Sequence, residues 1–316
     1  MKKNFLTLML VLIMSISIIG CSNNQKKDTS SQSLKTLTIG VMPDLDSLPL
    51  IIAEHNGYFK QEGFQVKLEH FKSASDRDTA LQTGKIHGAI SDMLSVVFFN
   101  DNNFDVKITS KTEGSFKLIS GKNSNISKIE QADGKSIGIS KNTIIEYLTD
   151  RIIESSNIDV NSQKKVAIPK IPTRLEMLTN GKLDMATLPE PLASTAISAG
   201  GKILSSSDKL GINPGVMLFT KDAVSSKSEE IKSFYRAYNK AVEYLNKEKP
   251  ESYIDFVIKE AGFPDTIKST LTIPNYSKAS MPPEKELQEV MTWLKAKKLT
   301  TNNYKLQDLS NSSFIK

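Results

Sequence analysis

The stretch Arg77-Asp-Thr-Ala-Leu81-Gln-Thr-Gly84-Lys-Ile-His-Gly-Ala89 returns as Arg174-Leu-Glu-Met-Leu178-Thr-Asn-Gly181-Lys-Leu-Asp184-Met-Ala186, at a constant offset of 97 residues. Seven positions keep register: Arg77, Leu81, Gly84, Lys85, Ile86, His87 and Ala89 pair with Arg174, Leu178, Gly181, Lys182, Leu183, Asp184 and Ala186. Each copy reads as an amphipathic helix from the arginine, a stop at a glycine where a positive φ is needed, and a short strand behind it. A Leu-x-x-Gly-Lys helix end is common by itself; register over the whole unit is what argues for a duplication. The strands are expected at Ile86–Ile90 and Leu183–Leu188. Upstream, Thr36–Met42 and Ser136–Ser140 are strand-like runs, each followed by a turn and an apolar-periodic helix. The first half then reads Leu37–Val41, a helix over Leu48–Glu54, Phe64–His70, a helix from Ser75, and the repeat strand. The second reads Ile137–Ile139, a helix over Thr143–Glu154, Val166–Ile168, a helix from Thr173, and its own repeat strand. Strands alternating with helices of that length imply parallel sheets covered on both faces, hence two α/β lobes.

The run Gly215-Val-Met-Leu-Phe-Thr220 is a strong strand beyond the second unit. Behind it, Ile231, Phe234, Tyr238, Ala241, Val242 and Leu245 share one helical face, and Leu287, Val290, Trp293 and Leu294 another. These are packing stripes rather than a cofactor box. If the chain returns at that strand, the C-terminal helices complete the first lobe. Lobe 1 then comprises residues 34–117 and 216–316 and lobe 2 residues 118–215, with two hinge crossings near Phe116–Ser120 and Asn213–Leu218. The length, 316 residues, suits two domains.

Composition narrows the setting. Lys2 and Lys3 precede one apolar run, Phe5–Gly20, whose sixteen residues fall short of a membrane-spanning helix. Residues 1–20 are therefore expected to be a signal peptide. Ile18-Ile19-Gly20-Cys21 resembles the lipobox of bacterial lipoproteins, so Cys21, the single cysteine, is expected to carry the lipid. Residues 21–33, rich in Ser, Asn, Gln and Lys, read as a flexible tether. No later segment has eighteen consecutive apolar residues, which implies an extracytoplasmic body anchored to the bacterial cell membrane by its lipid alone. Removing residues 1–20 takes the formal charge from +6 to +4. Basic residues are scattered singly or in pairs such as Lys26-Lys27 and Lys297-Lys298, with no aromatic-interleaved stripe, so nucleic acid is not an expected partner.

A family resemblance enters with the motifs. Asn56-Gly57-Tyr58-Phe59, Glu62-Gly63, Val66 and the Ala80–Ala89 segment resemble the first lobe of the substrate-binding proteins of ABC importers for nitrate, alkanesulfonates, taurine and thiamine precursors. Gly134-Lys-Ser-Ile-Gly138-Ile, the Leu178–Asp184 segment and Leu188-Pro-Glu-Pro-Leu192-Ala-Ser resemble the second, and the likeness covers roughly residues 35 to 245. It implies a type II periplasmic-binding fold, each lobe a mixed, mainly parallel sheet flanked by helices. It also implies a small-molecule ligand closed between the lobes of a monomer and delivery to a membrane permease with its ATPase. His87 stands where the second copy has an aspartate, a departure that falls in a turn.

In open α/β sheets, ligands bind outside the carboxyl ends of the strands. The loops at those ends nominate Asp44, Asp46, Ser47, Ser73, Ser75, Ser91, Asp92, Ser140, Asn142, Thr143 and Glu190. Ser75, Asn142 and Thr143 lead, because hydroxyls and free N–H groups at helix starts favour an acceptor or anion; a plain N-cap would explain each equally. The acids pull the other way. A buried unpaired carboxylate is costly, so Asp44, Asp46, Asp92 and Glu190 must face water, hold a cationic or N–H-rich part of the ligand, or pair with Arg77 or Arg174. That weighs a heterocyclic precursor or zwitterion against a plain sulfonate or nitrate.

Enzymatic signals are weak. The three histidines, at 55, 70 and 87, belong to no zinc or triad motif, and Gly134-x-x-x-Gly138 lacks a Walker ending. No cofactor and no metal are expected. An enzyme on the same fold, acting on a small heterocyclic metabolite, is the alternative, and an effector-sensing domain is a third.

Overall fold

The computed structural model describes residues 35–315 except 262, 264, 270 and 272. The expected signal peptide, the tether and Cys21 lie outside the described residues.

Two five-stranded sheets dominate. The first is ordered β2 (Gln65–His70), β1 (Thr36–Val41), β3 (Gly88–Asp92), β10 (Gly215–Thr220), β4 (Val106–Lys111). The second is ordered β7 (Lys164–Ala167), β6 (Ser136–Ile139), β8 (Met185–Pro189), β5 (Phe116–Ser120), β9 (Lys202–Ser206). In the first, β1 runs parallel to β2 and β3, while β10 runs antiparallel to β3 and β4. The second repeats this: β6 is parallel to β7 and β8, and β5 is antiparallel to β8 and β9. The reversed strand in each sheet is the one that arrives from the other sheet. The fold is therefore α/β with two mixed, mainly parallel sheets, as the alternating pattern implies. β3 and β8 are buried along their whole length, which helices on both faces require.

The duplicated halves share detail below the level of topology. Gly40 of β1 and Gly138 of β6 each lie under an arginine stem. A Cβ on Gly40 would stand 2.6 Å from Ile86 Cδ1 and 3.3 Å from Arg77 Cγ. One on Gly138 would stand 2.6 Å from Leu183 Cδ1 and 3.1 Å from Arg174 Cγ. The His87 departure also finds its reason. Asp184 accepts the Ser136 backbone N–H at 2.9 Å, and His87 Nδ1 accepts the equivalent Thr38 N–H at 2.9 Å. Burial, aided by nearby Lys227, depresses the His87 pKa, which keeps that nitrogen free to accept. The imidazole thus replaces a carboxylate as cap of a strand rather than decorating a loose turn.

Helices α1 (Leu48–His55), α2 (Ala74–Gln82) and α3 (Met93–Asp101) flank the first sheet, and α4 (Ile144–Glu154), α5 (Ile171–Thr179) and α6 (Leu192–Ser198) the second. The amphipathic α7 (Ser228–Lys247) packs its Ile231, Phe234 and Tyr238 face onto the first sheet's core, where Phe59 stacks on Phe234 at 5.7 Å. Phe59 is accordingly a core residue.

The C-terminal α8 (Glu284–Ala296) departs from the sequence reading, which gave it to the first lobe alone. It packs on α3 but also reaches α4 beside the second sheet. Trp293 Nε1 donates to Asp150 Oδ2 at 3.1 Å, its ring meets Tyr147 edge-on at 5.7 Å, and Lys297 Nζ donates to Glu146 Oε1 at 2.6 Å. Polar tips on an otherwise apolar stripe made this second contact invisible to periodicity.

The chain crosses between the sheets at Thr112–Ser115 and again at Gly211–Pro214, just before β5 and β10. The crossings are tied together. Thr112 N–H donates to Gly215 O at 3.1 Å and Asn213 Nδ2 to Thr112 O at 2.6 Å.

Candidate ligand-binding cleft

The carboxyl ends of β1, β3, β6 and β8 face one cavity between the two sheets. From the first half it is lined by Met42, Asp44, Asp46, Arg77, Ser91 and Asp92. From the second come Ser140, Thr143, Ile144, Ile145, Ile171 and Arg174, with Phe116 and Gly215 next to the crossings. Its internal space is ≈ 40 Å³, room for about three waters at the ~10–15 Å³ each requires. The halves are drawn together over it: Leu45 N–H donates to Glu190 O and Ile171 N–H to Lys72 O, both at 3.0 Å. Met42 packs with Ile168 and Ile171 across the divide. This is a closed conformation, so a molecule larger than a few atoms is admitted only when the halves part.

Six of the eleven nominated residues line the cavity. Asp44 and Asp46 are both buried, and each leaves Oδ1 without a hydrogen-bond partner. Burial drives the Asp44 carboxyl well above its usual range, reinforced by Asp46 and opposed by Arg77. Burial pushes Asp46 up to about 6. Gly114 makes room for this side chain, since a Cβ there would stand 2.5 Å from Asp46 Oδ2. Ser91 Oγ is buried and unpartnered. Asp92 caps α3 by accepting the Ser95 N–H at 2.9 Å and has Arg77 Nη2 at 3.9 Å. Burial still raises its pKa against those two. Ser140 and Thr143 complete the six, with Thr143 Oγ1 donating to Ser140 O at 2.8 Å and capping α4 through the Ile145 N–H.

The other five lie outside the lining. Ser47 Oγ donates to Asp44 O at 2.7 Å and shapes the loop. Ser73 is the N-cap of α2, accepting the Asp76 N–H at 3.2 Å. Because that cap sits at position 73, the helix begins at Ala74; Ala74 lines the cavity and Ser75 is exposed. Asn142 takes a φ of 57°, which Asn tolerates, and its N–H donates to Glu146 Oε2 at 2.7 Å. Glu190 is buried but satisfied, paired with Lys117 and accepting the Ser194 N–H at 3.0 Å.

The arginines emerge as the site's strongest feature. From the sequence alone they are legible only as partners for the acids. Arg77 fulfils that role, bonding Asp78, Ser95 Oγ and Ile90 O. Burial alone would lower its pKa, but Asp78 and Asp92 carry it above the usual value. Arg174 does not. Its Nε donates to Thr187 O at 3.0 Å and its Nη1 to Ile168 O at 2.8 Å, while Nη2 has no partner. It is wholly buried, and burial alone lowers its pKa to about 9. A buried charge with one nitrogen unpartnered is costly. Among the described residues no cluster of three metal-ligating side chains occurs.

Two like-built α/β halves, joined by two crossings and shut over a cavity that both line, define the periplasmic-binding-protein-like class of fold. Solved structures agree. The ligand-binding component of an ABC-type import system from Staphylococcus aureus, with zinc bound, superposes at a TM-score of 0.77 with 15% identity, over 89% of this chain and 98% of that one. The alkanesulfonate-binding protein SsuA of Xanthomonas axonopodis pv. citri, bound to MOPS, gives 0.75 and 15%, over 88% and 99%. The desulfurization enzyme DSZB gives 0.65 and 13%, over 89% and 97%, so the architecture also carries catalysts. In sequence, a Brachyspira hyodysenteriae protein named as an ABC transporter periplasmic binding protein is 26% identical over 253 residues, 75% of this chain and 72% of its own. Residues 44–252 match the NMT1/THI5-like family. The chain belongs to that family.

Proposed function

We propose that the protein is the solute-binding component of an ABC importer, capturing a small polar molecule between its halves and presenting the closed form to a permease and its ATPase. The observation that carries the reading is Arg174, buried, uncompensated and lining a cavity that both halves build. Such a group is costly in the empty protein and repaid when a ligand supplies the acceptor. The ligand therefore favours the closed state by contacts available only there, which is what a population shift requires. The two sheets with their helices move as lobes about Thr112–Ser115 and Gly211–Pro214. Asp44, Asp46, Ser91, Asp92, Ser140 and Thr143 are the contacts, with Arg77 holding Asp92 in place. The relatives named for transport support a carrier over an enzyme. The lipobox-like Cys21 supports an extracytoplasmic body tethered to the membrane by lipid; among the described residues no helix is long and apolar enough to cross one.

The test is a thermal-shift screen of the purified chain against sulfonates, nitrate, pyrimidines, flavins and amino acids. A ligand at 100 times its Kd adds ~2.7 kcal/mol. Recovery of the hit chemically unaltered is the expected result. Turnover of the hit would instead favour the enzyme reading, and an empty screen would contradict capture altogether.

A further inference from the structure

The C-terminal α8 is tied into the first half at both ends. Ahead of it Lys111 N–H donates to Ser280 O at 2.8 Å; behind it Tyr304 Oη donates to Asp101 Oδ1 at 2.9 Å and Asn311 N–H to Ile108 O at 2.8 Å. Its last turn, however, ends on the second half. The C-cap residue Lys297 places Nζ 2.6 Å from Glu146 Oε1 and 3.2 Å from Asp150 Oδ2, while Lys165 of β7 reaches the same two carboxylates at 3.4 and 2.5 Å. The Trp293 ring lies 5.1 Å from Lys297 Nζ, and its Nε1 donates to Asp150. Both carboxylates are buried. Burial alone would raise the Glu146 pKa, but the Asn142 N–H and Lys297 hold it below the usual value. The duplicate positions carry none of this charge. At an offset of 98, Glu146 and Asp150 correspond to Leu48 and Ile52 of α1, and at 97 Lys165 corresponds to Leu68 of β2. Leu48 and Ile52 belong to the core that α7 covers inside the first half. An apolar face of that kind adheres permanently, since parting it exposes area at ~25 cal/mol per Å². Paired buried charges add little net stability over apolar groups of similar volume, because each regains its hydration when they separate. The second half therefore carries a separable contact where the first carries a permanent one.

We infer that Lys297 is a positioning residue for closure: paired with Glu146 and Asp150 it holds α4 against the first half in the closed form, and it lets go when the halves part. The inference rests on the reading of the halves as lobes that close on a ligand, and deepens it by naming a contact outside the cavity that sets the balance between open and closed. Neither Lys297 nor Trp293 lines the cavity, so neither acts by touching what is bound there. They act through α4, whose first turn and preceding loop supply Ser140, Thr143 and Ile145 to the lining. Because the contact is ionic and Lys297 remains part exposed, salt should loosen it.

The test is amide hydrogen exchange of the ligand-free full chain in detergent, read by NMR at Leu45 and Ile171. These two N–H groups donate across the divide, to Glu190 O and Lys72 O, so their exchange reports parting of the halves. In Lys297→Gln both should exchange about tenfold faster, a larger rise than at the amides of β1 and β6, which follow overall stability. Lys297→Arg should restore the slow rates. Wild type moved from low salt to about 1 M sodium chloride, where the screening length is about 3 Å, should show the same selective rise, and Lys297→Gln should not respond. The salt series decides the matter if the glutamine variant does not fold. A uniform rise at all these amides would give Lys297 a merely structural role and overturn the inference, as would no rise at all. If Leu45 and Ile171 nonetheless exchange faster than the strands in wild type, capture by parting lobes still stands. If they match the strands under every condition, the halves do not part and that reading falls too.

Discussion

Asp46→Asn is expected to stabilise the ligand-free protein by up to about 3 kcal/mol at pH 8 and to change it little near pH 4. The folded-state pKa of Asp46, raised by burial from 3.8 to about 6, means that the native protein holds this proton more tightly than the unfolded chain does. Stability is then complete below about pH 4, falls as pH rises through the window up to about 6, and stays reduced above it. Asparagine cannot ionise, so the variant keeps what wild type loses. Asp44, raised in the same direction by burial and by Asp46 itself, adds to the slope. Urea unfolding of both proteins at pH 4, 6 and 8 checks it. A variant that is weaker than wild type at pH 8 would mean that the carboxylate is satisfied inside the protein and is not held open for a ligand. Stability surrendered at a binding site is the usual sign of selection for function.

Trp293→Ala should lower stability by about 4 kcal/mol, in the range for removing a buried tryptophan, and should also weaken ligand binding. The indole fills the space between α3 and α4, meets Tyr147 edge-on and donates to Asp150 Oδ2. Asp150 also pairs with Lys165 at 2.5 Å and Lys297 at 3.2 Å, so it is not stranded by the loss. Trp293→Phe keeps the bulk and removes only the donor, and should cost about 1 kcal/mol. The link to binding runs through α4. Glu146, one turn before Asp150, takes Lys297 from the C-cap of α8 and the Asn142 N–H from the loop that carries Ser140. Denaturation and titration of the two variants side by side check this. Equal damage from both would place the whole effect in the hydrogen bond and discount the packing.

The fold was legible because it is written twice. Register between Arg77–Ala89 and Arg174–Ala186 predicted two equivalent halves, and the sheets share one strand order. Gly215–Thr220 is legible with its observed bounds, since four apolar side chains between Gly215 and Thr220, bounded by Asn-Pro and Lys-Asp, are unambiguous. β4 and β9 went unread: Val106–Lys111 and Lys202–Ser206 are short and mix lysine with serine, and only their neighbours make them strands. The site was legible by loop and less so by residue. Strand ends pointed to loops that line the cavity, but a helix-start hydroxyl does not say whether it caps or faces it. Ser73 turned out to cap α2, and Ser75 fell on its outer face. Arg174 was the hardest to see, because its meaning lies in the partners it lacks. The signal was present nonetheless: Leu175, Pro189 and Leu192 stand where the first copy has Asp78, Asp92 and Ser95.

Closure of the halves on a ligand changes the distance between them. Spin labels at Thr79 and Glu176, exposed and equivalent positions on α2 and α5, report the separation by pulsed electron-electron resonance. Without ligand, a broad or two-component distance distribution is expected. The compound that most raises the melting temperature should collapse it to the single short distance of the closed form. One unchanged distance in both samples, despite proven binding, would contradict the account.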